Sequence, residues 1–374
     1  MGKQKYVICT TGVSLAVNLK LDSKEAYTHR NWDGADAGFE KALETELEKY
    51  LNVNMDDTAK QRALSAEINT LSRLGVGKGD RVALLSSDTG NGQLCSKAVR
   101  RCLINWYGLK DKDVSIVRIE GMQVVDEKAF KEKGLKNLVS KIIDIKESNQ
   151  DSYEVIFNPT GGYKGVVPFV SIIGMIFGIK IVYMFVESNS LLTLPPLPIS
   201  FNLELFNRVK PALKDLIDSP RLSRWEYLRR IEDYAQEEEN LFMSFVETVG
   251  DDVMISPLAF SLYEIEENRA KPKVSDSVMA KLDKMKDTES QKKLKDMIGE
   301  SSSIFWRNTH HHSFSGTDLS VFKQGGNACR IAGFLQNGVI FVTHAFGDHD
   351  EYEKRLKGTY TKDYLNATYA DWEY

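Results

Sequence analysis

Five of the six histidines, His310, His311, His312, His344 and His349, fall in the C-terminal part of the chain together with Arg307, Lys323 and Arg330. Imidazoles exchange protons near neutral pH, while Arg and Lys stabilise the charge of a phosphorane-like transition state. Such a set suits RNA cleavage. A base removes the ribose 2′-OH proton, the oxygen attacks the adjacent phosphate, an acid protonates the departing 5′-oxygen, and no metal is required. Each residue has a plainer reading. His344 lies in a strand-like run and fits a hydrogen-bonded core histidine, and Lys323 at a strand end fits a solvated charge. His310 to His312 fit a metal cluster, but consecutive histidines point in different directions and lack the i, i+4 spacing of zinc motifs. An exposed loop touching RNA is the reading taken for Arg307, His310 and His312. Tyr352, Tyr360 and Tyr364 either stack on bases or pack a last helix.

A second chemistry resides in Asn158-Pro-Thr-Gly-Gly-Tyr-Lys-Gly165, between a strand-like run (Tyr153 to Phe157) and an apolar run from Val166. Backbone N–H groups of such a turn point outward and hold a phosphate, with Lys164 adding positive charge. An ordinary strand-to-helix turn is the alternative. Two further polar loops follow strands: Thr10-Thr11-Gly12-Val13-Ser14 after Lys5 to Cys9, and Ser86-Ser87-Asp88-Thr89-Gly90-Asn91-Gly92 after Arg81 to Leu85. The expected ligand contacts are therefore Thr10, Thr11, Gly12, Ser14, Ser87, Asp88, Thr89, Asn158, Thr160, Gly161, Gly162 and Lys164.

The elements that position these loops alternate. Helical periodicity over Ala37 to Leu51, Asp56 to Leu74, Gln93 to Tyr107 and Glu127 to Glu147 separates the strands already named, a strand from Val114 to Ile119 and one from Ile179 to Val186. Such alternation predicts a parallel sheet with right-handed crossovers and helices on both faces, whose ligands bind beyond the carboxyl ends of the strands. Leu194-Pro-Pro-Leu-Pro198 marks a first boundary. Leu203 to Ile217 and Arg224 to Gln236 read as helices of a connector, with a winged-helix module as the other reading. A second boundary falls near Ala270-Lys-Pro-Lys-Val274. Beyond it come short helices at Val278 to Lys286 and Gln291 to Ile298, strands at Leu319 to Lys323, Ala328 to Leu335 and Val339 to Phe346, and a last helix from Glu351. Asn337-Gly338 between two apolar runs predicts a tight hairpin. The domains expected are 1–198, 199–270 and 271–374.

With 374 residues, 42% of them apolar and 27% charged, the chain has the composition of a globular protein rather than a disordered one. Its net charge of −4 excludes a general DNA-coating role, so any RNA or anion site is local. The N-terminus carries no apolar signal segment, and the four cysteines lack CxxC spacing, so a cytoplasmic chain with reduced thiols is expected. Pro168, Gly174, Gly178 and Lys180 interrupt the apolar run after Gly165, which fits a buried helix and strand rather than a membrane span.

On Thr10-Thr11-Gly12 and, more specifically, Asn158-Pro-Thr-Gly-Gly-Tyr-Lys-Gly165, the first half resembles a CARF domain, the Rossmann-like sensor of cyclic oligoadenylate in CRISPR defence. The resemblance implies a homodimer whose paired loops bind a cyclic RNA messenger, the cyclic tetra-adenylate foremost, through Lys164 and the backbone at Gly161 and Gly162. The last hundred or so residues resemble RelE-type toxins, ribosome-dependent mRNA endonucleases. Two lysine-rich helices followed by an antiparallel sheet carry that likeness, with Leu319-Ser-Val-Phe-Lys323, Asn327-Ala-Cys-Arg-Ile-Ala-Gly-Phe334 and Phe341-Val-Thr-His-Ala-Phe346. It implies proton transfer by Lys323, phosphate binding by Arg330 and an α+β fold. His349 stands where that family often has Arg or Lys, so His344 and His349 compete as the acid, and Tyr352 joins the RNA contacts. The implied protein is a messenger-activated ribonuclease acting on mRNA at the ribosome, without metal or cofactor. Three alternatives stand beside it. A HEPN ribonuclease uses Arg-x4-6-His, formally met by Arg307 and His312, but residues 308–316 are poor helix sequence. A non-catalytic regulator would bind DNA through the middle helices, which lack a basic recognition helix. The first domain has hydroxyls and a lysine suited to cleaving the messenger itself.

Overall fold

A computed structural model describes all residues except 1–2, 22–31, 53–56, 124–126, 186–189, 198–200, 232–235, 326–327 and 374. The expected positions Asp56, Val186, Pro198, 232–235 and Asn327 lie outside the described residues. Two compact units emerge: residues 1–143 with 153–199, and residues 144–152 with 200–374.

Unit 1 is built on a six-stranded sheet of order β3-β2-β1-β4-β5-β6. Its strands are β1 (Gln4–Thr11), β2 (Arg81–Ser86), β3 (Val114–Arg118), β4 (Tyr153–Asn158), β5 (Lys180–Phe185) and β6 (Ser190–Leu194). The first five run parallel and β6 pairs antiparallel with β5. Because the order reverses between β1 and β4, the chain leaves these neighbours in opposite directions and a crevice opens at their carboxyl ends. Val7, Ile8, Cys9 and Val82 to Leu85 are buried, as expected of parallel strands covered on both faces. The helices include α1 (Ala37–Leu51), α2 (Ala66–Arg73), α3 (Gly90–Tyr107), α4 (Leu135–Asn149) and α5 (Val167–Ile176). The helix expected from 56 to 74 is broken at Ser65, which is extended and whose side chain caps α2 by accepting from Ile68 N–H at 3.1 Å. Residues 144–152, the end of α4 and the turn after it, belong to unit 2.

In unit 2 the stretch read as a helical connector carries a sheet. α6 (Leu203–Asp218), β7 (Leu222–Ser223), α7 (Arg224–Arg229), α8 (Glu239–Met243), β8 (Val246–Val249) and β9 (Asp252–Ile255) follow in order, and the strands pair antiparallel as β7-β9-β8. That order of elements is the winged-helix order. The hairpin escapes pattern reading because Glu247, Thr248 and Val249 are all exposed, which erases the apolar alternation of a half-buried strand.

After α9 (Pro257–Glu267) comes β10 (Lys273–Ser275), so the stretch expected as a boundary leads into a strand. Next are α10 (Asp276–Lys284), α11 (Thr288–Glu300), α12 (Ile304–His310), β11 (His311–His312), β12 (Ser320–Phe322), β13 (Arg330–Gln336), β14 (Val339–Phe346), α13 (His349–Leu356) and β15 (Tyr369–Asp371). The sheet order is β11-β12-β13-β14-β10-β15; its pairs are antiparallel except β10 with β14, which corrects the purely antiparallel expectation. Asn337 (φ 52°) and Gly338 (φ 78°) both take positive φ, as a two-residue hairpin turn requires. Apolar side chains cover both faces: Trp306, Ile331 and Val342 in one cluster, Val321, Phe346 and Tyr352 in the other.

Candidate functional site

Unit 1 holds a cavity of about 510 Å³ at the carboxyl ends of its strands. Ten of the expected contacts line it: Thr10, Thr11, Gly12, Ser14, Ser87, Thr89, Thr160, Gly161, Gly162 and Lys164. Asp88 and Asn158 are not among the lining residues. Asp88 accepts from Arg118 Nε at 2.6 Å and from Gly121 N–H at 2.9 Å, fixing the turn after β3. The buried Asn158 accepts from Thr160 N–H (3.1 Å) and Thr160 Oγ1 (2.6 Å) and donates to Cys9 Sγ (3.1 Å), which folds the loop back on itself.

The two loops at the crevice touch through their backbones. A Cβ on Gly12 would lie 2.8 Å from Gly162 Cα, and one on Gly161 would lie 2.2 Å from Glu67 Oε1. Glu67, on α2, was not foreseen from the sequence. It is fully buried beneath the loops, accepting from Gly12 N–H at 3.0 Å and Ser14 Oγ at 2.9 Å. Helical periodicity reads a single Glu on an amphipathic helix as a solvated charge, so only the packing of α2 reveals its place. Lys164 donates to the Thr160 carbonyl and sits 5.7 Å from the Tyr183 ring centroid; burial pulls its ammonium below the usual lysine range, and Glu67 partly restores it. The remaining wall is mostly apolar, with Leu85, Ile119, Met122, Leu138 and Val166, and includes Gln123 and Tyr163. Hydroxyls and one lysine at the rim with aliphatic walls suit a ligand that combines flat rings with polar or anionic groups.

In unit 2 the sheet gathers a second group. β11 pairs with β12 so that His312 faces Val321, and Lys323 N–H donates to the His310 carbonyl at 2.9 Å. Arg330 opens β13; its guanidinium lies 5.8 Å from the Tyr352 ring, whose other neighbour on α13 is His349, centroids 5.8 Å apart. The His312 imidazole is held below the ordinary histidine range by partial burial and then by the charges of Arg330 and Lys323, with smaller effects of His311 and His349. His312, Lys323, Arg330, His349 and Tyr352 therefore form one neighbourhood. A neutral imidazole beside two cations can accept a proton while they stabilise an anion. The Tyr352 hydroxyl is buried without a hydrogen-bond partner among the described residues.

Three expected residues lie elsewhere. His344 contacts Thr343 Oγ1 at 2.9 Å and Tyr364 OH at 3.1 Å, and is pushed down to about 4 by burial, then by Lys281 and Arg355. Arg307, 2% exposed, makes a bidentate pair with Glu147 (2.8 and 2.7 Å) and donates to the carbonyls of Ser301 and Ser302. It is a buried anchor in this structure, committed to Glu147 and two backbone carbonyls. His310 lies on α12 instead of in a loop, its Nδ1 2.8 Å from the Trp306 carbonyl and its ring stacked on Trp306 at 4.5 Å. The Arg307 and His312 pair is likewise split between a helix and a strand. Among the described residues no three His, Cys, Asp or Glu side chains are placed to hold a metal ion, and no helix is long and apolar enough to cross a membrane.

Residues 62–197, a little over a third of the chain, match a family described as CRISPR-associated protein (Cas_APE2256). That segment contains β2 to β6 and two of the three loops at the cavity. Comparison with curated proteins returns no match.

Proposed function

We propose that this chain, with a CRISPR-associated match across β2 to β6 and two of its cavity loops, is a cyclic-oligoadenylate-activated, metal-independent mRNA endoribonuclease acting at the ribosome in type III CRISPR defence. The observation that carries the reading is the gathering of His312, Lys323, Arg330, His349 and Tyr352 in unit 2 of a chain whose other unit holds a ligand-sized cavity. Lys323 and His312 serve proton transfer, Arg330 takes the scissile phosphate, and His349 stands beside Tyr352 as the second imidazole. The 2′-oxygen attacks phosphorus, the P–O5′ bond breaks, and the 5′-oxygen leaves with a proton from the acid. Each product strand end follows without redox chemistry or a cofactor.

The messenger reading is supported by the cavity at the switch point between β1 and β4, with Lys164 at its rim. A two-fold ligand favours a two-fold assembly. Ile172 on α5 and Tyr163 in the cavity segment just before that helix are both exposed, an apolar surface suited to a second copy of the chain. A messenger shifts the nuclease only as far as it binds one arrangement better than the other.

The winged-helix order of residues 203–255 favours a second reading, a ligand-responsive DNA-binding regulator. Its charge opposes that: Glu237, Glu238 and Glu239 lead into α8, where phosphates would be repelled. The deciding experiment incubates programmed ribosomes with the chain, with and without cyclic tetra-adenylate, and maps mRNA cuts, alongside DNA retention under the same conditions. Messenger-dependent cuts abolished by Lys323→Ala support the nuclease; DNA retention without cuts overturns it.

A further inference from the structure

Two members of the proposed cleavage group are covered in this structure, whereas His312 and His349 are exposed. Arg330 is 4% exposed and Tyr352 2%, so neither meets solvent, although a phosphate must touch a guanidinium directly to be held by it. Phe314 packs on the Tyr352 ring, centroids 4.8 Å apart, and comes from the segment that joins β11 to β12. Beneath that cover the Tyr352 hydroxyl has no hydrogen-bond partner among the described residues. A buried donor without a partner among these residues costs stability.

The covering segment is clasped at its base. His311 precedes it and Ser320 ends it, and both bind the Asp151 carboxylate: His311 Nε2 at 3.0 Å from Oδ1, and Ser320 Oγ donating to Oδ2 at 2.6 Å. One side chain thus ties both stems. The far side is pinned to the segment after α13, with Thr317 Oγ1 donating to the Thr359 carbonyl (2.6 Å), Gly358 N–H to the Gly316 carbonyl (2.8 Å) and Thr361 N–H to Asp318 Oδ1 (2.6 Å).

We propose that residues 313–319 are an autoinhibitory lid over Arg330 and Tyr352, and that Asp151 is its latch. The inference rests on the nuclease reading and supplies its regulation. Asp151 follows α4, the helix that starts in unit 1 with Leu138 on the cavity wall, so the latch is carried by a covalent continuation of the ligand-lined segment. Opening exposes Arg330 and the Tyr352 hydroxyl to a phosphate and leaves His312, at the lid's edge, beside it.

The test uses the full chain without messenger and two variants outside the proposed catalytic group, Asp151→Ala and Phe314→Ala. The first removes the latch; the second removes the cover and keeps the proposal testable where the first fails to fold. Nitration of Tyr352 by tetranitromethane, followed by peptide mass, reads the lid independently of catalysis, and mRNA cutting on ribosomes reads the site. Both variants are expected to raise Tyr352 nitration about tenfold or more, the effect of losing charge-assisted bonds in a two-state equilibrium, and to cut mRNA without messenger. Unchanged nitration in both variants overturns the lid, even where messenger triggers cutting in the wild type. Raised nitration with no cutting by any variant, messenger present, upholds the lid and overturns the nuclease.

Discussion

Replacing Arg307 by Met separates a structural anchor from an RNA contact. Its guanidinium holds both Glu147 oxygens and two backbone carbonyls, and both partners are nearly solvent-free, at 2% and 8% side-chain exposure. Arg307→Met leaves a buried carboxylate without its counter-charge, a loss of about 3–5 kcal/mol. For a unit of this size each kcal/mol moves the midpoint by roughly 2–4 °C, so Tm of the unit 2 transition falls by about 6–20 °C. Adding Glu147→Leu removes the stranded charge, and the double variant should recover most of the loss, because a well-packed apolar pair replaces a buried ion pair at little cost. Calorimetry of the three variants measures both steps. An unchanged Tm in Arg307→Met, with loss of RNA cutting alone, would refute the reasoning and return Arg307 to the substrate side.

Gly161→Ala forces a methyl to within 2.2 Å of Glu67 Oε1 and 2.6 Å of the Thr10 carbonyl; the backbone side cannot yield, so thermal unfolding should show a loss of about 1–3 kcal/mol and calorimetric titration a loss of messenger binding. His344 is neutral when folded, with its pKa near 4, whereas the unfolded chain takes up a proton near the ordinary value of 6.5. Stability from this group is thus intact above about pH 6.5 and falls as pH drops toward 4, by at most about 3 kcal/mol; His344→Gln should flatten that slope in urea titrations across the window. Under saturating messenger, Lys323→Ala should slow single-turnover cutting by about 10²–10⁴-fold. Arg330→Ala should slow it by about 10²–10³-fold, and either variant cutting at the wild-type rate counts against the site.

Strand alternation, the loops after β1, β2 and β4, and the Asn337-Gly338 hairpin were legible because each depends on neighbours in sequence: apolar runs, small residues at strand ends and positive-φ turn chemistry. Local pattern also located ten cavity residues from three separate loops, since a parallel sheet brings the carboxyl ends of its strands to one edge. The β8–β9 hairpin was hidden because β8 is exposed and lacks a buried face to set its period, and β10 because three residues are too few to show one.

The sequence by itself determined which residue types can do chemistry and roughly where each lies along the chain. Only the tertiary structure decided their partners. Arg307, His344 and His349 read alike as polar residues in one module, yet packing commits Arg307 to Glu147, which lies 160 positions away, and His344 to Tyr364, leaving His349 beside Tyr352. Glu67 and Asp151 carry the same lesson. A carboxylate on a helix or in a turn is solvated by default, and only long-range packing removes the water and gives it a clasp to close, because burial is set by what arrives from elsewhere in the chain.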